Sequence, residues 1–326
     1  MSLNDRFLSS LGINLDLAIE AQEVVRGQTG QEIPGVAMDK ENYTHAAVTT
    51  VRILEQAAEE IMGKPQGTYI TIEAPGLRDN NREVHQEVVE VLAKHLSGLY
   101  NLTAKSNVLV VGLGNWNATP DALGPKAVEQ VLVTRHIFNY APSEVRDGMR
   151  PVSAVAPGVL GITGIETAEI IKGIVDNIQP ELVIAIDSLA SRSVERIATT
   201  IQIADTGVSP GSGIGNKRKG LNKETLGVPV IAVGMPTVCH AAVIAADAID
   251  QLFENFKTNP GVYQAYQQQA VQDAIADVLA PFGGHLMVTP KEIDMLIDNT
   301  SKIIAGGIST SLHQGISSEE YSMYLH

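Results

Sequence analysis

A single cysteine, Cys239, among 326 residues leaves no partner for an internal disulfide and fits a reducing compartment. Basic residues are few: 23 Lys and Arg stand against 37 Asp and Glu, a formal net charge of −14. That balance opposes any extended contact with nucleic acid phosphates. The only dense basic run, Lys217-Arg-Lys219, reads as a solvated loop. No apolar stretch approaches the ~18–20 residues needed to span a bilayer, and Met1 to Phe7 lacks the apolar core of a secretory signal. Neither a fixed-period repeat nor a Pro- or Ser-rich linker divides the chain. The chain therefore reads as soluble and cytoplasmic, with no direct nucleic acid or membrane partner, and as one compact domain behind an N-terminal extension.

Aromatics are also scarce, at 4%, while the hydrophobic fraction is 44% and the charged fraction 18%. Small aliphatic residues suit close helix-on-sheet packing. Residues 1–40 carry Gly12, Gly27, Gly30 and Gly35 and show no long period. From Thr44 to Met62, Ala47, Val51, Leu54, Ala58 and Ile61 follow helical spacing and Gly63 stands at the expected stop. Strands are expected at Thr68–Glu73, Val108–Val111, Leu182–Asp187, Thr199–Ala204 and Val228–Val233. Helices are expected at Glu83–Leu99, Pro125–His136, Glu166–Ile178, Thr237–Phe256, Val262–Leu279 and Pro290–Ile304; Val152–Thr163 is ambiguous. Strands separated by long helices predict an α/β fold with a mostly parallel sheet flanked by helices.

The chemistry concentrates in two segments. Asn107 to Pro125 runs from an apolar strand through the glycine-rich turn Gly112-Leu-Gly-Asn-Trp-Asn-Ala-Thr to Asp121 and a helix. Leu182-Val-Ile-Ala-Ile-Asp187 repeats the plan, with an aspartate at the expected end of the strand. Ligands of open α/β sheets gather outside the carboxyl ends of the strands, so Asp121 and Asp187 form a candidate acid/base pair or metal site. A shared proton would make them titrate as a unit. Asp121 could instead cap the following helix, and Asp187 could cap the Ser188–Ser193 turn. The glycine-rich turn lacks the third glycine and the distal acid of a dinucleotide loop, although an anion-binding module remains open. His240 stands where it could reach the cleft as a third metal ligand or simply start a helix. Cys239 reads as a buried bystander. Asp205-Thr-Gly207 and the glycines that follow it read as a flap or an amide-rich cleft wall. No serine sits in a Gly-x-Ser-x-Gly elbow.

At these residues the chain resembles the germination proteases of spore-forming bacteria. The resemblance rests on ordered blocks over almost the whole length: Asp16-Leu-Ala-Ile-Glu-Ala21, Gly112 to Pro125, Ile186 to Ser193, Thr200 to Gly207, Pro210 to Arg218 and Met287 to Asp294. It implies a self-processing endopeptidase of small acid-soluble spore proteins, located in the spore core and assembled as a homotetramer. It further implies a phosphorylase/hydrolase-like fold similar to that of the hydrogenase maturation proteases. The family's two catalytic aspartates match Asp121 and Asp187: one carboxylate would activate water while the other, protonated, polarises the scissile carbonyl and donates to the leaving amine. Cleavage after an acidic residue followed by a hydrophobic one and alanine matches Asp16-Leu17-Ala18. Residues 1–16 are then a propeptide and 17–326 a single peptidase domain. No cofactor is expected, with a metal left open. The family pattern departs at Val238-Cys-His240, where an aliphatic residue and an acid are expected, and His240 keeps a metal-assisted reading alive.

Overall fold

The computed structural model describes residues 16–29, 32–142, 146–209, 219–255, 268–313 and 315. Its centre is a nine-stranded sheet with the order β1-β2-β3-β7-β8-β6-β4-β5, and β9 pairs with β8 off that path. The strands are β1 Val36–Asn42, β2 Ala47–Ile53, β3 Gly67–Glu73, β4 Val108–Gly112, β5 Val152–Val155, β6 Leu182–Ser191, β7 Thr200–Ala204, β8 Val230–His240 and β9 Met287–Val288.

Pairings β4·β5, β4·β6 and β6·β8 are parallel. Pairings β1·β2, β2·β3, β3·β7, β7·β8 and β8·β9 are antiparallel. The sheet is therefore mixed. This corrects the expected mostly parallel, phosphorylase/hydrolase-like sheet and, with it, the likeness to hydrogenase maturation proteases. Two local causes account for the error. The segment expected as a helix over Thr44–Met62 is strand β2 followed by the short helix α2, Gln56–Met62, because Val48, Thr49, Thr50, Val51 and Ile53 are β-branched and pack on a pleated surface. The connection from β6 to β7 is too short for a parallel crossover, which takes a dozen or more residues, so β7 returns antiparallel to β8.

Strand β4 shows how the sheet is buried. Val108 and Val110 join one apolar cluster, with Val88, Leu92, Ile297 and Ile304. Leu109 and Val111 point the other way, to Ile171, Val175, Val183 and Ala185. Successive side chains of a strand face opposite sides, so both faces are covered. Helices α3 (Arg82–Ser97) and α8 (Ile293–Leu312) cover the first face and α5 (Thr167–Ile178) the second. A third cluster joins α1 (Ala18–Thr29) and α2 to β2 and β3 through Ala18, Ala21, Val51, Ala58 and Tyr69.

Other boundaries move modestly. The helix expected over Pro125–His136 is α4, Leu123–Gln130, followed by a separate short helix, Arg135–Tyr140. The helix expected from Thr237 begins only at Ala241 (α6, Ala241–Asn255), because β8 continues to His240. Of the helix expected over Val262–Leu279, the described part is α7, Gln268–Leu279. The helix expected from Pro290 starts at Ile293 and continues to Leu312. Most of the expected propeptide, residues 1–15, lies outside the described residues, as do Lys217 and Arg218 of the basic run. No helix among the described residues is long and apolar enough to cross a membrane.

Candidate active site

Strand β4 ends where its neighbour β6 continues. The Leu113 amide donates to the Ile186 carbonyl at 2.8 Å, and the chain then leaves the sheet. It turns through a single 3-10 turn, Thr119–Asp121. Gly114 takes φ +115°, and a β-carbon there would stand 2.0 Å from the Asp121 carbonyl oxygen. That closeness lets the Asn115 amide donate to the same carbonyl at 3.0 Å. Asn115 Oδ1 accepts from the Asn117 amide at 2.9 Å, and Thr237 on β8 donates to the Pro120 carbonyl at 2.6 Å. Asp121 does not cap α4: the cap position is Ala122, with no side-chain hydrogen bond. Gly124, in the first turn of α4, is pressed against the ends of β4 and β6. A β-carbon there would lie 2.3 Å from the Leu113 carbonyl and 2.6 Å from that of Ile186.

Asp187 lies within β6 rather than at its end, since the strand continues to Ser191 and pairs there with the equally long β8. It is 7% exposed, and its Oδ1 accepts from the Ser188 amide at 3.0 Å; no turn follows for it to cap. Sheet register then builds the floor of the site. Asp187 is paired with Gly234 of β8, Gly234 with Gln202 of β7, and Gln202 with Thr71 of β3. Paired residues share a face of the sheet, and Gly234 puts no side chain of its own between Asp187 and Gln202. The side chain of Leu189 lies across that glycine, 2.8 Å from where its β-carbon would be.

A cleft of about 800 Å³ opens over this row, and Asp121, Asp187, Asp16, Lys64, Gln202 and Thr206 are among the residues lining it. Asp121, Asp187 and Asp16 thus line one cleft. Asp16 and the backbone that follows it are held along the cleft. Its carboxylate accepts from the Ala190 amide at 2.9 Å. Its carbonyl oxygen accepts from Lys64 Nζ at 3.0 Å and Gln202 Nε2 at 3.1 Å. The Gln202 side-chain oxygen accepts from the Ala18 amide at 2.6 Å, so one carboxamide spans the Asp16–Leu17–Ala18 backbone. Leu17 is fully buried against Ile19 and Leu189, and Ala18 is fully buried too. Burial of a leucine side chain is worth about 1.5–3 kcal/mol.

Beyond the cleft, α1 is anchored by charge. Glu20, 1% exposed, accepts from the Arg192 and Ser193 amides and pairs with Arg196, which also pairs with Glu23 and Glu73. Burial raises the Glu20 pKa, while the Arg192 amide and the Arg196 guanidinium act against the rise. Lys64 is partly exposed as a residue, but protein surrounds its ammonium closely enough that desolvation lowers its pKa; Asp16 and Glu20 oppose that shift. Lys64 and Gln202 carry no motif of their own. In the sequence, Lys64 merely follows the helix stop Gly63, and Gln202 is one polar residue in an apolar strand.

His240 is not brought to the cleft. It closes β8, is 3% exposed, and accepts from the Ala242 amide at Nδ1 at 3.2 Å. Its ring meets that of His285 edge to face at 6.3 Å, and burial first, then His285, lowers its pKa. Among the described residues no group of three or more His, Cys, Asp or Glu side chains could hold a metal ion. A site of Asp121, Asp187 and His240 does not fit that arrangement: Nδ1 accepts from a backbone amide, which puts the hydrogen of the neutral ring on Nε2 and leaves neither nitrogen a lone pair for a metal. Cys239 is fully buried, and burial pushes its thiol pKa up to about 11, as suits a bystander. Asp205 directly follows β7, inside the sheet order, and its carboxylate accepts from the Thr68 amide at 2.8 Å. The residues after it, Thr206 to Ser209, line the cleft, and 210–218 lie outside the described residues.

Comparison with known proteins adds an independent line. The germination protease family profile matches residues 14–260 and 257–325. The germination protease of Caldanaerobacter subterraneus subsp. tengcongensis is 50% identical over 323 residues, covering 97% of this chain and 99% of that protein. That of Clostridium tetani is 44% identical, covering 97% and 100%, and that of Bacillus subtilis 43% identical, covering 96% and 97%. The chain belongs to the germination protease family and is a self-processing endopeptidase of spore germination.

Proposed function

We propose that the cleft is the peptidase centre, that Asp121 and Asp187 are its two carboxylates, and that the Asp16–Leu17 bond is the one it cuts in its own chain. The observation that carries this reading is the seating of Asp16 in the cleft that both other aspartates line, with Leu17 and Ala18 buried behind it. The acidic side chain meets an amide donor, the leucine an apolar cluster with Ile19 and Leu189, and the alanine a fully buried place against α2, β2 and β3. An acidic–hydrophobic–alanine preference follows from those three contacts.

In hydrolysis one carboxylate takes a proton from water as the water oxygen attacks the Asp16 carbonyl carbon. The other, protonated, gives its proton to the Leu17 nitrogen as the C–N bond breaks. Residues 1–16 are then the propeptide, and residues 17–326 remain as the mature domain. While Asp16, Leu17 and Ala18 occupy their places along the cleft, those places are closed to other substrates. Cleavage frees the place of Asp16; Leu17 and Ala18, which stay with the mature chain, must leave theirs before a small acid-soluble spore protein takes all three. A homotetramer is the proposed assembly, supported by the family resemblance. Sedimentation of the mature enzyme as a monomer would overturn it.

The test is to incubate the purified precursor at mildly acidic pH and follow its N-terminus by mass spectrometry, beside Asp121→Asn and Asp187→Asn. Wild type alone should begin at Leu17. A precursor that matures there with either aspartate replaced would refute the carboxylate assignment. Maturation lost to a chelator and restored by a divalent metal would refute the metal-free mechanism.

A further inference from the structure

The carbonyl of a bond about to be hydrolysed needs donors aimed at its oxygen, because that oxygen gains the negative charge when water adds. Removing one such donor commonly costs about 10²–10³ in rate. Two side chains already converge on the Asp16 carbonyl oxygen, Lys64 Nζ at 3.0 Å and Gln202 Nε2 at 3.1 Å. Both are hydrogen-bonding distances to the ground-state carbonyl oxygen, so both donors are aimed at the atom on which the charge develops.

We propose that Lys64 and Gln202 are catalytic residues, the electrophilic half of the centre, which hold the carbonyl oxygen of the bond cleaved and stabilise the oxyanion formed on it. The inference rests on the reading that Asp16–Leu17 is the bond cut. Four features support it. Gln202 is held in β7 at the level of Asp187, with only Gly234 between them, so its position is set by sheet register and not by a loop. Its carboxamide cannot turn over without losing the 2.6 Å bond from Ala18, which keeps the NH2 end on the carbonyl. Lys64 follows directly on the left-handed cap Gly63 (φ +62°) of α2, so a rigid turn delivers it. Lysine can donate whether charged or neutral.

In the step itself, the water oxygen bonds to the Asp16 carbonyl carbon and the water proton passes to a carboxylate. The C=O π pair becomes the oxyanion lone pair between Lys64 and Gln202. When that pair re-forms the double bond, the C–N bond breaks and the Leu17 nitrogen takes a proton from the second carboxyl group. The pair thus polarises the bond without exchanging a proton with it, and leaves Asp121 and Asp187 to move the protons. After the leader departs, the same two donors face the carbonyl of any substrate lying in the cleft.

The experiment measures the first-order rate of precursor maturation by mass spectrometry for wild type, Lys64→Met, Lys64→Arg and Gln202→Leu, with the melting temperature of each. Lys64→Met and Gln202→Leu should each slow cleavage about 100-fold while melting within a few degrees of wild type, and Lys64→Arg, which restores a donor, should recover at least tenfold. Folded Lys64→Met or Gln202→Leu that matures within threefold of wild type would overturn the role of that residue. Should Lys64→Met melt far below wild type, Lys64→Arg decides: a folded arginine variant as slow as a folded Gln202→Leu would also overturn the lysine's role. Wild type that matures only at another bond would overturn the underlying cleavage-site reading and this inference with it, an outcome distinct from a fast Lys64→Met.

Discussion

The backbone amide of Ala190 donates to the Asp16 carboxylate at 2.9 Å. Ala190 follows the register shift at Leu189/Ala190, where β6 slips against β8. The shift leaves Thr237 of β8 without a counterpart on β6, and beside it the Ala190 amide meets an acidic side chain. A hydrogen bond to a charged group is worth about 1.5–3 kcal/mol. Asp16→Ala should therefore slow maturation about 10- to 100-fold, as followed by mass spectrometry of the N-terminus. An alanine variant as fast as wild type would show that the Ala190 amide does not select the residue.

Leu17 offers a second test, of apolar rather than polar recognition. It is fully buried with Ile19 and Leu189, and leucine-to-alanine changes at such sites cost about 2–5 kcal/mol. Leu17→Ala should mature slowly. Leu17→Lys, which would bury an ammonium without a partner, should not mature at this bond. Cleavage of the lysine variant between residues 16 and 17 would show that the pocket does not hold the residue after the cut.

That Asp121 and Asp187 reach one cleft is legible because each follows an apolar strand pattern, and the order of the blocks identifies the family. The parallel half of the sheet was legible for the same reason: Leu182–Asp187 and Val228–Val233 are short apolar runs bounded by turns. The antiparallel half was not, because Ala47, Val51, Leu54 and Ala58 fit a helical period as well as Val48 to Ile53 fit a strand. That tie is broken only by pairing with Tyr69 and Met38 across the sheet. Lys64 and Gln202 were hidden for a different reason. Their meeting at one carbonyl depends on strand order and register, which no local pattern records. His240 looked reachable from the cleft because the sequence does not show β8 running four residues past Pro236 before the helix begins.

The glycine turn makes a prediction about construction. At Gly124 a β-carbon would meet backbone atoms at 2.3, 2.5 and 2.6 Å, none of which can swing aside as a side chain does. Gly124→Ala should lower stability by about 3 kcal/mol and abolish maturation by displacing the turn that carries Asp121. Gly173, exposed within α5, has nothing within 4 Å of its would-be β-carbon. Gly173→Ala should raise stability by about 0.5–1 kcal/mol and leave maturation unchanged. Urea denaturation of both variants measures the contrast, and a Gly124→Ala protein that matures normally would show that the turn tolerates a wider separation of α4 from β4.

Acid should weaken the fold through His313. This histidine is 1% exposed at the end of α8. Its Nδ1 accepts from the Arg150 amide at 3.2 Å, so Nε2 carries the hydrogen and donates to the Leu132 carbonyl at 3.1 Å. The ring is thus bonded as a neutral imidazole, and burial, reinforced by the Arg150 charge and opposed by the Leu132 bond, pulls its pKa from 6.5 to about 4. A base with a depressed folded pKa binds its proton first in the unfolded chain. Its contribution is therefore complete above pH ~6.5 and is lost as pH falls toward ~4, where the difference corresponds to about 3 kcal/mol. His240, lowered in the same direction by burial and by His285, adds to the loss. The urea midpoint of the wild-type protein should fall across that window. His313→Gln should be less stable at neutral pH by about 1–3 kcal/mol, since its amide cannot reproduce both ring bonds. Having no proton to gain at this position, it should also show a visibly flatter acid slope. An unchanged slope in the glutamine variant would place the acid sensitivity elsewhere, with His240→Gln as the next measurement.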